Sequence, residues 1–178
     1  MSFAPPAVNT LAVSRITMSD VVDWFEFALL PEMQRYTSSS VTSHEDLAAV
    51  VRFTQSGQPN ASILFAVRDP ESARLLGVFG FHTISVVNRT AEITYEVRPE
   101  ASGQGIASAM CFAATQWALQ SMLWVRVQAT VLEENGASLR VLQKCGYLPE
   151  GRLRNFRLVR GQPRDYLLYS CVPERTAA

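Results

Sequence analysis

The sequence predicts a mixed α/β domain built around one central sheet. Residues 62–68, 75–85 and 90–97 have strand character and follow one another across short turns, which indicates antiparallel neighbours. Residues 123–131 predict a further strand, which a helix separates from the strand before it, so this pair is expected to be parallel. The chain of 178 residues suits one such domain with a full core.

The N-terminal part predicts one strand and two helices. Residues 11–16 alternate between apolar and polar, the pattern of a strand with one buried face. Residues 19–30 place apolar side chains at helical spacing, after a Ser-Asp pair that can cap the helix. Ser43 with Asp46 resembles a capping box, so a second helix is expected to begin there.

The C-terminal part predicts two helices and two closing strands. Residues 106–121 carry an apolar stripe at the spacing of a long helix. Residues 135–144 predict a short helix, and Gly146 is well placed to end it in the left-handed conformation. Residues 147–154 and 165–172 are expected to complete the sheet.

Composition argues against several classes of function. Sixteen Lys and Arg balance sixteen Asp and Glu, which argues against a general electrostatic grip on nucleic acid or anionic lipid. The three cysteines lack CxxC spacing and the two histidines are scattered, so no metal site is predicted. No leader sequence is recognised, and no apolar run approaches the roughly 20 residues of a membrane span, so a cytoplasmic protein is expected.

A glycine-containing loop, residues 102–107, lies between the predicted strand 90–97 and the long helix. The first N–H groups of a helix have no partner within the helix, and the helix dipole adds positive charge there. The loop therefore predicts a cradle for an anion, most naturally the phosphate of a cofactor. The dinucleotide pattern GxGxxG fails because no third glycine follows, and no Gly-Lys-Ser or Gly-Lys-Thr of a Walker-type loop follows either.

Two longer motifs carry a resemblance to a known family. Residues 91–107, AEITYEVRPEASGQGIA, resemble the acetyl-CoA signature of the GNAT superfamily of N-acetyltransferases. Residues 135–147, NGASLRVLQKCGY, are similar to its second signature. With the segments 149–154 and 165–169, the sequence looks like the branch of the ribosomal-protein alanine or serine N-terminal acetyltransferases and their small-molecule relatives.

The resemblance implies the domain organisation and a detail of the sheet. One GNAT domain is expected over residues 9–174, with flexible tails at 1–8 and 175–178. Its sheet is expected to be mixed, mostly antiparallel and flanked by helices, with a splayed pair formed by the strands at 95–97 and 123–131.

The resemblance also implies acetyl-CoA as cosubstrate, without a metal. The pantetheine arm is expected along the strand at 95–97, where the backbone N–H near Val97 would polarise the thioester carbonyl. In the loop pattern of the family, Gly105 and Ala107 match, whereas Ser102 stands where a long polar residue is usual. The cofactor-binding residues implied are Tyr95, Val97, Ser102, Gly103, Gln104, Gly105, Ile106, Ala107, Ser108, Asn135 and Ser138.

Two glutamates are candidates for the general base. Glu92 and Glu96 have the same parity on one strand, so both side chains point to one face, and the sequence does not choose between them. A carboxylate aimed into a cleft can have a raised pKa and accept a proton near neutral pH. The resemblance implies that Ser138 hydrogen-bonds or protonates the leaving thiolate, whereas helix capping explains Asn135 and Ser138 equally well. Leu142 occupies the position at which many members of the family carry a tyrosine.

The acceptor is expected to be a primary amine, either a protein N-terminus or a small molecule. His82 is a candidate for lining the acceptor pocket, although a structural role explains it as well. A non-catalytic acyl-CoA-binding sensor or interaction module is the alternative function. The resemblance also implies a homodimer.

Overall fold

The computed structural model describes residues 4–38 and 41–173. In this part of the chain, seven strands form one sheet and five α-helices pack on its two faces. The strands are β1 (Ala12–Arg15), β2 (Ile63–Arg68), β3 (Leu75–Ser85), β4 (Thr90–Val97), β5 (Arg126–Leu132), β6 (Leu148–Val159) and β7 (Gln162–Cys171). The helices are α1 (Val21–Ala28), α2 (Pro31–Gln34), α3 (His44–Thr54), α4 (Ile106–Gln116) and α5 (Gly136–Lys144).

The sheet has the strand order β1-β2-β3-β4-β5-β7-β6. Every neighbouring pair is antiparallel except β4 and β5, so the predicted mixed, mostly antiparallel sheet is confirmed. β4 and β5 pair only at their first residues, up to Glu92 opposite Gln128, and separate beyond that point. The resulting gap lies in the middle of the sheet, between residues 93–97 and 129–132.

Each face of the sheet has its own apolar core. On one face, α4 and α5 pack over a cluster that contains Phe79, Phe81 and Met110. On the other face, α1 and α3 pack over a cluster that contains Trp24 and Phe27. The gap between β4 and β5 is therefore bordered by helices on both sides.

The start of α3 follows the predicted capping box. The Ser43 hydroxyl accepts the Asp46 backbone N–H at 3.2 Å, and the Asp46 carboxylate accepts the Ser43 backbone N–H at 2.9 Å. Both orphan donors of the first turn thus have partners within the chain.

The segment predicted as one helix over 19–30 contains two helical pieces, and a third helix begins directly after it. A 3₁₀ turn, Met18–Asp20, precedes α1, and the Asp20 carboxylate accepts the Thr17 backbone N–H at 2.7 Å. α1 ends at Ala28, and Pro31 begins the short helix α2, because proline lacks only an N–H that has no partner at this position.

The structure differs from the expectations near the two ends of the chain. Val8 is 1% exposed, and the Ala4 carbonyl accepts the indole N–H of Trp117 at 2.8 Å, so both residues contact the domain from within the segment expected as a tail. The tail expected at 175–178 lies outside the described residues. The hairpin of β6 and β7 is longer than expected. The sequence does not reveal its full length, because β6 is an exposed edge strand that lacks apolar alternation. No helix in the described part of the chain is long and apolar enough to cross a membrane.

Candidate active site

The loop between β4 and α4 has the backbone shape of an anion cradle. Gly103 and Gly105 have φ values of 79° and 81°, in the left-handed region that residues with a Cβ rarely adopt. Gly105 is the N-cap of α4, so the N–H groups of the first helical turn, from Ile106 onward, lack intrahelical partners. A Cβ built on either glycine would meet no atom within 4 Å, which leaves the approach to those N–H groups open.

Ser102 and Gln104 carry the polar side chains of this loop. Ser102 is exposed, and its backbone N–H donates to the Pro99 carbonyl at 3.0 Å. The Gln104 amide donates to the Glu100 carbonyl at 3.3 Å, which turns the side chain back onto the loop. A cradle made by backbone N–H groups does not need the long polar side chain that Ser102 replaces.

A cavity of about 790 Å³ extends from this loop through the gap between β4 and β5. Helices α1 to α3 line one end of the cavity, and α4 and α5 line the other. Every sequence-predicted catalytic or cofactor residue lines it except Gln104. The space thus connects the loop, on one face of the sheet, with a pocket on the opposite face.

The N-terminus of α5 is fixed next to the splayed part of β4. The Asn135 side chain caps the helix by accepting the Ser138 backbone N–H at 3.1 Å. The Tyr95 hydroxyl donates to the Ser138 carbonyl at 3.3 Å, which joins β4 to α5 across the cavity wall. Burial raises the pKa of Tyr95 well above its ordinary value, so the phenol stays protonated as a donor.

Glu92 belongs to a closed polar network. It is 4% exposed, and its carboxylate accepts hydrogen bonds from Arg157 at 2.9 Å and from the Thr130 hydroxyl. The Gln128 amide donates to it at 3.4 Å, and His82 Nε2 lies 4.0 Å away. Because Arg157 pairs with its carboxylate and both of its oxygens accept hydrogen bonds, Glu92 has few lone pairs left for another partner.

Glu96 has different surroundings four residues later on the same face. Its carboxylate accepts one hydrogen bond, 2.8 Å long, from the indole N–H of Trp24. Burial raises the pKa of Glu96, and the Trp24 hydrogen bond opposes that rise only in part. Glu96 therefore binds a proton more tightly than an exposed carboxylate, which is the character of a general base in a cleft.

The position of Trp24 depends on a buried cation, Arg98, which contacts the helix that carries Trp24. Arg98, 4% exposed, follows β4 directly and donates to the Leu75 carbonyl at 3.0 Å and to the Asp23 carbonyl at 3.1 Å. Its guanidinium also lies 5.1 Å from the ring centroid of Phe27. Because Asp23 and Phe27 belong to α1, Arg98 fixes the helix that presents Trp24 to Glu96.

His82 lines the cavity beside Glu92. Burial lowers its pKa, an effect that the Glu92 charge opposes and the Arg157 charge reinforces, so the imidazole is neutral at pH 7. Its Nδ1 lies 2.8 Å from the Thr83 hydroxyl. This environment fits the structural role that the sequence left open.

Sequence reasoning did not assign roles to three residues that define this site. Arg157 and Thr130 hold Glu92, and Trp24 holds Glu96. Arg157 and Trp24 are 65 and 72 residues away from their partners, so no local spacing could reveal these pairs. The parity of β5 could have pointed to Thr130, because Thr130 lies on the same face as Gln128, the partner of Glu92.

Comparison with known proteins decides the family. Residues 10–148 match the family described as the acetyltransferase (GNAT) domain. The chain belongs to this family. An uncharacterized N-acetyltransferase of Bacillus subtilis (strain 168), YoaA, is 30% identical to this GNAT chain over 169 residues, which are 94% of the chain and 96% of that protein.

Solved structures share the fold of this GNAT chain. The ribosomal-protein-S5-alanine acetyltransferase of Vibrio fischeri superimposes with a TM-score of 0.83 at 17% identity, over 97% of this chain and 98% of that one. The spermidine N-acetyltransferase of Vibrio cholerae, in complex with CoA and spermine, gives 0.80 at 20% identity, over 91% and 95%. At these identities the likeness shows the shared fold alone.

The chain is therefore an N-acetyltransferase that uses acetyl-CoA and acts on an amine. The residues present fit that cosubstrate, because the open glycine loop at the start of α4 offers backbone donors for a pyrophosphate. Among the described residues, no group of three His, Cys, Asp or Glu side chains is arranged to hold a metal ion.

Proposed function

We propose that the chain transfers the acetyl group directly from acetyl-CoA to a primary amine in a ternary complex, with Glu96 as the general base. The observation that carries this proposal is the environment of Glu96. Its carboxylate lines the cavity at the splayed end of β4, has a raised pKa and is oriented by one indole N–H. A base of this kind contributes roughly 10²- to 10⁴-fold to a proton-transfer step.

Glu92 is the weaker candidate for the base. A proton that moved to Glu92 would have to displace an ion pair with Arg157 and a hydrogen bond from Thr130. Breaking a buried, hydrogen-bonded ion pair is expensive, so this network favours a structural role. Glu92 is therefore assigned to positioning β4, β5 and β6 relative to one another.

The proposed reaction needs one base and one place for the leaving group. Glu96 takes a proton from the acceptor ammonium, and the neutral amine attacks the carbonyl carbon of the thioester. The backbone N–H near Val97 stabilises the developing oxyanion. The C–N bond forms, the C–S bond breaks, and the second proton of the nitrogen ends on the thiolate, with the Ser138 hydroxyl as the nearby donor. The cavity supports this arrangement, because Glu96, Val97 and Ser138 all line it.

The cofactor contacts belong to the same proposal. The backbone of Gly103, Gly105 and the first turn of α4 is assigned to the pyrophosphate, and Tyr95 and Val97 to the pantetheine arm. Asn135 caps the helix that carries Ser138, so capping and cofactor binding are compatible at this position. Ser102 and Gln104 are given no side-chain role.

A thiol-release assay with acetyl-CoA tests the proposal. Turnover of protein N-terminal peptides or small amines is expected, and the acceptor panel should include both. Binding of CoA without turnover of any amine would overturn the proposal and favour the acyl-CoA sensor.

Two further expectations stay proposals. A homodimer is expected, which sedimentation would test. The domain is proposed to begin by residue 8, because Val8 is buried.

A further inference from the structure

Tyr166 has a buried hydroxyl that needs a partner. The residue is 3% exposed and lines the cavity from β7. Within the described part of the chain, its hydroxyl oxygen is the buried side-chain polar atom that finds no hydrogen bond. Since buried polar groups in native proteins almost always have partners, such an atom at a binding cavity points to a group of the ligand.

The sheet places Tyr166 at the level of Glu96. Tyr166 pairs with Leu132, and Gln128, four residues before Leu132, pairs with Glu92. In a parallel pair, Leu132 would therefore lie opposite Glu96 if the two strands did not splay. Alternation puts all of these side chains on the same face, so Tyr166 and Glu96 lie on that face with β5 and the gap between them, at least about two strand spacings, roughly 10 Å, apart at their backbones.

The Tyr166 ring is held in place by its neighbours. It makes an edge contact with Phe156, with centroids 5.8 Å apart, and the Arg157 guanidinium lies 5.7 Å from its centroid. Leu132 and Leu153 complete the apolar surroundings. With the ring fixed, the hydroxyl proton can rotate about one bond only, so the donor has a defined position for a ligand atom.

The charges near Tyr166 indicate which kind of ligand atom its hydroxyl would bind. Arg157 is paired with Glu92, so this corner of the cavity carries little net charge. A cation beside Tyr166 would have no free carboxylate to pair with, and a ligand carboxylate would compete with the Glu92 already bound to Arg157. An uncharged oxygen, as in an amide carbonyl or a hydroxyl, satisfies a phenol donor without either conflict.

We propose that Tyr166 is a specificity-determining residue whose hydroxyl donates a hydrogen bond to an uncharged oxygen of the acceptor, close to the amine that is acetylated. The proposal rests on the proposed function, since it concerns the acceptor of the same transfer. It favours amines that carry a neighbouring carbonyl or hydroxyl over polyamines, whose chain offers no oxygen.

A matched series of amines tests this proposal. Isopropylamine, alaninol, alaninamide and alanine share one skeleton and differ in carrying no oxygen, a hydroxyl, a carbonyl or a carboxylate, and spermidine represents the polyamines. Each is assayed for kcat and KM with the wild-type protein and with Tyr166→Phe. The control is Tyr169→Phe, because Tyr169 is equally buried on the same strand but does not line the cavity.

The wild type is expected to prefer alaninamide or alaninol over isopropylamine, alanine and spermidine. Tyr166→Phe should lower kcat/KM for the preferred acceptor about 10-fold, mostly through KM, and leave isopropylamine unchanged, since one hydrogen bond is lost only with the oxygen-bearing amine. Tyr169→Phe should leave all ratios unchanged, and thermal melting reports whether either variant is misfolded.

Three results would overturn the proposal. Equal losses for all amines in Tyr166→Phe would mean a structural role, and no loss for any amine would mean that the hydroxyl binds no acceptor. Preference of the wild type for spermidine or alanine would assign the opposite acceptor chemistry. In each case the transfer itself would stand, whereas the absence of turnover with every amine, despite CoA binding, would reject the proposed function.

Discussion

Two glutamates of β4 have different surroundings, because one lies in the half that pairs with β5 and the other in the half that splays away from it. In the paired half, Glu92 lies opposite Gln128 and is enclosed by donors from two strands, β5 and β6. In the splayed half, Glu96 faces a cavity and receives one hydrogen bond from a helix. The difference teaches that residue type and strand face do not fix the role of a carboxylate. The partners that the neighbouring strand supplies, or withholds, decide it.

The largest expected effect comes from removing the carboxylate of the splayed half. Glu96→Gln should lower kcat by about 10²- to 10⁴-fold, because the base is lost while the hydrogen-bonding shape is kept. Steady-state kinetics with saturating acetyl-CoA measures the change. An unchanged kcat at neutral pH would remove Glu96 from the mechanism and blur the contrast between the two halves.

The paired half should respond in stability instead of chemistry. Glu92→Gln should lower the free energy of unfolding by about 1.5–3 kcal/mol, because the charged hydrogen bond with Arg157 is lost and a buried network is left partly unpaired. Urea unfolding measures it, and Glu96→Gln is the comparison. A larger loss of stability in Glu96→Gln than in Glu92→Gln would reverse the assignment.

The pH dependence sharpens the contrast further. Because the pKa of Glu96 is raised, kcat/KM should fall as the pH decreases through that raised value. Trp24→Phe removes the donor that holds this pKa down, so the acidic limb of the profile should move to higher pH. Trp124→Phe is the control, since Trp124 is buried away from the cavity; an equal shift in that variant would disconnect the limb from Glu96.

The stability of the fold should depend on the same titration in the opposite direction. As the pH rises, the free energy of unfolding should decrease, whereas kcat/KM increases. A raised pKa means that the folded protein binds more protons than the unfolded chain between the two pKa values of Glu96. The free energy of unfolding of the wild type, relative to Glu96→Gln, should therefore fall as the pH rises through this window and stay constant above it. Denaturant unfolding of both proteins at several pH values measures the difference.

The smallest effect concerns the link between β4 and α5. Tyr95→Phe removes the hydrogen bond to the Ser138 carbonyl, which corresponds to about 0.5–1.5 kcal/mol, so the KM for acetyl-CoA should rise roughly 2- to 10-fold. Tyr147→Phe loses a buried hydrogen bond to Thr115 outside the cavity, and it should cost stability without changing this KM. A rise in KM in both variants would mean that the splayed half is not specifically tied to α5.

Local signals explain which parts of this site could be predicted. The glycine loop and the Asn135 cap depend on residues within a few positions of each other, so the sequence displays them. The choice between Glu92 and Glu96 depends on Arg157 and Trp24, which only the folded sheet and the packed α1 bring near. The sequence does not distinguish Tyr166 from an ordinary core residue, because only the folded structure shows that its buried hydroxyl lacks a partner.

The place where β4 and β5 part has a consequence for the backbone itself. Beyond Glu92 and Gln128, each strand keeps its outer neighbour, β3 or β7, and turns an open edge toward the other. Open strand edges elsewhere in proteins recruit a further strand through main-chain hydrogen bonds. An extended ligand with amide groups can therefore enter here as a substitute strand. Amide hydrogen exchange at residues 93–97 should slow when CoA is added, because amide groups of the ligand would form hydrogen bonds with the open edge of β4.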